Sequence, residues 1–178
     1  MAESSAYRLD KAKEDAIQLW VSTVLGLSAS NVIWDRGGPR PDPPYALLNI
    51  LSGPRKTSPS AEERYKELDT YIYAMRWEFT LTVGIYGGNG YLEQLGNLIS
   101  SLEKPSVLTP LRQAGLACWG SEDPVDLSTL LDTQFEDRAA VDIFFAYGEA
   151  IEDDAVGEIQ KVRFTGQDGL IDETIDTT

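Results

Sequence analysis

The chain has 178 residues, 42% apolar and 25% charged, the make-up of a single globular domain that can bury roughly 70% of its unfolded surface without disulfide or metal support. One cysteine (Cys118) and no histidine exclude an internal disulfide, the commonest zinc sites, and every nucleophile activated by an imidazole base. A formal charge of −14, from 15 basic and 29 acidic residues, makes the surface repel nucleic acid and anionic lipid.

The opening MAESSAYRLDKAKEDAIQLW mixes acids with bases and lacks an apolar run. It therefore reads as no signal peptide, and the chain is expected to fold in a cytoplasm. From Leu9 the apolar residues Ala12, Ala16, Ile17, Trp20, Val24 and Leu27 follow at three- and four-residue steps, with Lys11, Lys13, Glu14, Asp15 and Gln18 on the other face. This predicts an amphipathic helix stopped by Gly26. A short strand is expected over 32–34, then a stiff loop, WDRGGPRPDPPY, whose four prolines cannot donate to a ladder. Tyr45 to Leu51 is apolar on both alternating sets and reads as a strand covered on both faces.

Tyr71, Tyr73, Met75, Trp77, Phe79, Leu81, Val83 and Ile85 occupy every odd position of a long strand with one apolar face. At about 3.4 Å per residue it would span about 50 Å, against roughly 40 Å for a compact domain of this length. Either it breaks, or its first half projects with the end of the preceding strand as a hairpin arm, with the polar segment 53–67 at the tip. An aromatic face on such an arm needs cover from another chain. Next come the GGNG turn at 87–90, with Asn89 as the expected N-cap, a helix over 91–102 and a shorter one over 107–113 closed by Gly115. Strands are expected over 116–119 and 133–147, and a last one near 158–165 is expected to complete the sheet. The order indicates one α+β domain, residues 1–165, with helices packed on a largely antiparallel sheet. Residues 166–178 read as an extended acidic tail. From Glu149 onward nine acids face Lys161 and Arg163, half of the total net charge in the last 30 residues.

Few of these features resemble catalytic or ligand sites. The GGNG turn lacks the Lys-Ser/Thr ending of a phosphate loop. Glu122-Asp123, Glu136-Asp137 and Glu152-Asp153-Asp154 lack the spacing and central glycine of a calcium loop and read as solvated charge. Pro41-x-x-Pro44 has the form of a polyproline ligand, but a stiff connection between two strands is the favoured reading in a compact acidic domain. Arg36, Arg40 and Arg138 stand out because the guanidinium fork suits carboxylate pairing at interfaces. Cys118 beside Trp119 reads as a core thiol.

Three segments, VIWDRGGPRPDPPYALLNILS (32–52), MRWEFTLTVGIYG (75–87) and VDLSTLLDTQFEDRAAVDIFFAY (125–147), resemble the neck or tail terminator (tail completion) proteins of tailed bacteriophages. The resemblance implies a small α+β domain, a two-layer sandwich with helices on one face of the sheet and a long β-hairpin arm, assembled as a hexameric ring. It implies a virion protein made in the host bacterial cytoplasm that ends the tail tube and joins tail tube protein to neck and connector proteins. DNA would pass through the channel without specific binding. No catalysis, cofactor, metal or membrane contact is implied. In that frame Arg36 and Arg40 on one sheet edge, and Glu136 and Arg138 on the other, are the expected subunit interface. The basic group Arg55, Lys56, Arg64 and Lys66 is expected to touch an adjacent ring or neighbouring subunit. A head-side adaptor ring on the portal and a monomeric module using the proline loop are the alternatives.

Overall fold

The computed structural model describes residues 9–57, 62–67, 70–131, 134–153, 161–165 and 172–176, and the side chains of 9–57, 74–128 and 137–150. The chain divides into two compact units, Met1–Pro59 with Arg76–Glu149, and Ser60–Met75 with Ala150–Thr178. It is an α+β protein with a mostly antiparallel open sheet and, among the described residues, three α-helices.

In the first unit, α1 (Lys11–Leu25) starts at Asp10, whose carboxylate accepts the Lys13 amide hydrogen at 3.0 Å, and ends at Gly26 in the left-handed region. Its buried stripe is Ile17, Trp20 and Val21. Two expectations shift here: Ala12 is exposed, and Glu14, assigned to the polar face, is buried. Burial of Glu14 is tolerable because Arg36 pairs with it. A single 3-10 turn over Ala29–Asn31 leads into β1 (Val32–Trp34), parallel to β2 (Tyr45–Lys56), which pairs antiparallel with β4 (Thr70–Tyr86).

β4 does not break. β2 follows it to Lys56 opposite Trp77, and β3 (Glu62–Glu67) pairs with its first residues, from Glu62 opposite Ala74 to Glu67 opposite Thr70. The expected 53–67 tip is therefore largely strand, and the chain reverses after Glu67. Irregular register around Ser52 takes up the Gly53-Pro54 pair, where proline cannot donate to the ladder.

After β4 the chain turns through Gly87, Gly88 and Gly90, all at positive φ, into α2 (Tyr91–Ser101). Gly90 is the N-cap, correcting the assignment to Asn89, and no side chain caps this end; Gln94 instead reaches back to the Asn89 carbonyl. α3 (Pro105–Gln113) begins with proline at its first position, where the missing N–H has no partner to lose. β5 (Leu116–Ser121) and β6 (Val125–Asp126) then pair in succession along the same side of β9 (Arg138–Asp153). The expected continuous strand from 133 breaks at Asp137. β7 (Thr129–Leu131) and β8 (Gln134–Glu136) form their own two-stranded sheet, while the Asp137 carbonyl accepts the Gly87 amide hydrogen.

The strand order is β1-β2-β4-β9-β5. Phe79 stacks on Phe145, Trp77 on Tyr147, Thr82 donates to Asp142, and Gly87 reaches Asp137. Partners climb one strand as they descend the other, so β4 and β9 are antiparallel and Tyr86 stands opposite Arg138. The odd positions Phe79, Leu81, Val83 and Ile85 join Ala46, Leu48, Val141, Ile143 and Phe145 in one core with Ile17, Trp20, Val21, Leu95, Leu98 and Leu111 of the helices. This core holds the odd positions from Phe79 to Ile85; the side chains of Tyr71 and Tyr73, on which the expected aromatic arm face rests, lie outside the described residues. Tyr45, Leu47 and Tyr86 form a second, small cluster on the other set of positions, so β2 is covered on both faces only over 45–48; the expected cover to Leu51 fails, since Asn49 and Leu51 are exposed.

In the second unit, β10 (Lys161–Thr165) pairs antiparallel with β11 (Asp172–Asp176) as a separate two-stranded sheet. It does not complete the main sheet, and five residues of the expected tail are strand. Alternation explains this: Val162 opposes Ile175 and Lys161 opposes Asp176 across the ladder.

Candidate functional site

The proline loop is fastened to the sheet at several points. Asn31 donates its side-chain amide to the Pro44 carbonyl at 2.9 Å, and Arg36 pairs with buried Glu14 of α1 while lying over the Trp34 ring. Gly87 abuts Pro43 so closely that a Cβ there would fall 2.5 Å from the proline Cβ, at φ +70°. The Pro43-Pro44 bond is cis. This is a rigid connection, built into the end of the sheet.

At that end a row runs across three strands. Tyr45 stacks on Tyr86 with centroids 4.8 Å apart and planes within 3°. The guanidinium of Arg138 lies 4.9 Å from the Tyr86 centroid and that of Arg40 lies 5.6 Å from it. Arg40 is held above the usual arginine range chiefly by its hydrogen bond with the Tyr45 hydroxyl, and in small part by the Asp35 carboxylate. Two cations on one ring are attracted by its quadrupole and repelled by each other. Among the described residues neither has a carboxylate ion-pair partner, and the Arg138 Nε is buried without a hydrogen bond.

The expected interface residues thus fall differently from their sequence assignment. Arg36 and Arg40 do follow the edge strand β1. Arg138 is not an edge residue: it opens β9, which lies between β4 and the β5–β6 line, and it packs toward the same ring as Arg40. Its backbone is tied to Ser128 by two hydrogen bonds, at 3.2 and 3.4 Å. Glu136 belongs to β8 in the separate small sheet, and its side chain lies outside the described residues. Arg55 and Lys56 are exposed at the end of β2, opposite Glu78 and Trp77. Arg64 and Lys66 lie on β3 in the other unit, with side chains outside the described residues, as are those of Glu152, Asp153 and Asp154.

Sequence reading missed the outer line of β5 and β6. Trp119 (56% exposed), Val125 (54%) and Leu127 (38%) lie along it, with Glu122, Asp123 and Asp126 between them and no basic residue from Leu116 to Ser128. Trp119 stacks on Phe144 at 4.9 Å. The Asp126 carboxyl is held below its usual range by hydrogen bonds from Ser128. The available signal was an aromatic and two aliphatics spaced among acids in a segment too short to show a period. Cys118 is half-buried beside this line; desolvation raises its thiol pKa, which keeps it protonated and unreactive near neutral pH. Among the described residues no three His, Cys, Asp or Glu side chains gather as a metal set, and no helix is long and apolar enough to cross a membrane.

The chemistry on display is that of contact surfaces: a pinned loop, a cation pair on an aromatic ring, and apolar edges. The chain belongs to the phage neck terminator protein family, whose model matches residues 11–169, and this is a structural family. No curated protein matches the chain.

Proposed function

We propose that copies of this chain form a closed ring, six on the resemblance, that ends the tail tube and joins the tail to the head-side connector. The ring is a virion component that leaves a central channel for DNA and contacts the tail tube protein and the neck proteins. The helices form a layer on one face of the sheet, and the two sheet edges meet between subunits. Family membership over 11–169 is the observation that carries this reading. The composition supports it: a −14 chain lining a bore repels phosphate, and screening over about 8 Å restricts that effect to charges on the wall itself. Light scattering coupled to size-exclusion chromatography tests the ring. A single species near six times the 19.6 kDa chain mass is expected, and a monomer both in solution and within purified necks would sink the reading.

A further inference from the structure

The two guanidinium groups at the Tyr86 ring are brought together by the fold and left without an anion. Their carbons lie 4.9 Å (Arg138) and 5.6 Å (Arg40) from one ring centroid, whereas Lys11, Lys13, Arg36 and Arg76 each have a carboxylate partner. The acids nearest them in sequence, Asp35, Asp42 and Asp137, form no ion pair with either arginine among the described residues. Both arginines are positioned from outside the pair. Asn31 ties the proline loop down at Pro44, and two hydrogen bonds with Ser128 fix the backbone of Arg138. Arg138 is half-buried and its Nε has no acceptor, so this cation is partly desolvated without a protein oxygen to replace the lost water. Arg40 is exposed in the loop that leaves edge strand β1, so the pair opens at the border of the sheet.

Resting on the ring reading, we infer that Arg40 and Arg138 together receive a carboxylate side chain from the neighbouring copy of this chain. Planar guanidinium forks match the two oxygens of a carboxylate, and a charge-assisted hydrogen bond to a partly desolvated cation is stronger than one in water. A bound carboxylate also offsets the repulsion between the two cations, which the free chain carries uncompensated. The chain has 29 acids against 15 bases, so in a ring of identical copies a cation pair at a subunit border meets a surface with carboxylates in excess. A nucleic-acid phosphate fits this site less well. Such binding strengthens with the number of phosphates neutralised, and here two cations stand on a −14 chain with Asp35 and Asp42 in the same loop.

Full-length variants that discharge the pair test this. Arg40→Gln and Arg138→Met should each raise the concentration for half-assembly by roughly tenfold, read by light scattering at physiological salt, or lower incorporation into necks comparably if the wild-type ring forms only there. Thermal melting below the assembly concentration should not fall, because each substitution removes a charge that the free chain leaves unmatched. Arg40→Lys keeps the charge, should keep most of the assembly, and supplies an amine. Carbodiimide coupling in a mixture of isotopically light and heavy chains of this variant should then join residue 40 of one chain to an acid of the other. Normal assembly of both discharged variants, a melting loss that matches the assembly loss, or absence of light-to-heavy coupling at residue 40 overturns the contact and leaves a wild-type ring standing. A fluorescent double-stranded oligonucleotide should bind wild type no better than Arg138→Met; binding that depends on Arg138 assigns the pair to phosphate instead. A wild-type chain that is monomeric both in solution and in necks overturns the ring and the contact together.

Discussion

Phe144 and Phe145 are neighbours in sequence on β9 and lie in opposite worlds. Phe145 is fully buried, stacked on Phe79 at 5.6 Å and edge-on to Trp20 at 6.1 Å, in the core shared with the helices. Phe144 lies on the other face, half-buried under an exposed Trp119. The first face is apolar row after row. The second carries the Thr82–Asp142 hydrogen bond and the Ser52–Thr80 pair in its middle, and confines its aromatic residues to one end and one edge. An antiparallel sheet can leave one face to water, so side chains on that face are free to serve contacts with other molecules. The core face governs whether the chain folds, and the open face governs what it meets.

Phe145→Ala should give the largest effect, destabilising the folded chain by about 3–5 kcal/mol in urea titration, because the hole cannot be filled by surrounding core. Phe144→Ala should cost about 1 kcal/mol in the same titration and instead weaken assembly by removing the support under Trp119. Equal losses of stability from the two would erase the distinction between the faces.

Gly87→Ala comes next. Its φ of +70° and the contact with Pro43 act together, and about 1–3 kcal/mol should be lost, with protease cleavage within 35–44 as the local readout. A neutral outcome would mean that the loop is not fastened at this point.

Asp10→Asn probes the start of α1, where the Lys13 ammonium lies over the Tyr147 ring, and should give the smallest effect. The Lys13 side chain holds the Asp10 carboxyl below its usual range, partly offset by burial. A carboxyl lowered in the folded state contributes stability above its unfolded pKa and loses it as pH falls through the folded value. Wild type should therefore exceed the variant by under about 1 kcal/mol near neutrality, the Asp10 carboxylate being largely exposed, and the gap should close as pH falls below about 4. A gap that persists in acid would assign it to the cap hydrogen bond alone.

Local sequence determined the elements that a single period describes. Ile17, Trp20 and Val24 mark α1, and the odd positions from Phe79 to Ile85 mark both β4 and its buried face, because helix and strand periods are set by backbone geometry within the segment. Tertiary structure decided the rest. The extension of β2 to Lys56, the break at Asp137, the pairing of β10 with β11, the burial of Glu14 against Arg36, and the meeting of Arg40 with Arg138 on Tyr86 all depend on residues far apart in the chain. No spacing within a segment encodes such a partner. The acidic edge from Trp119 to Leu127 became visible only when the strand order put it on the outside of the sheet.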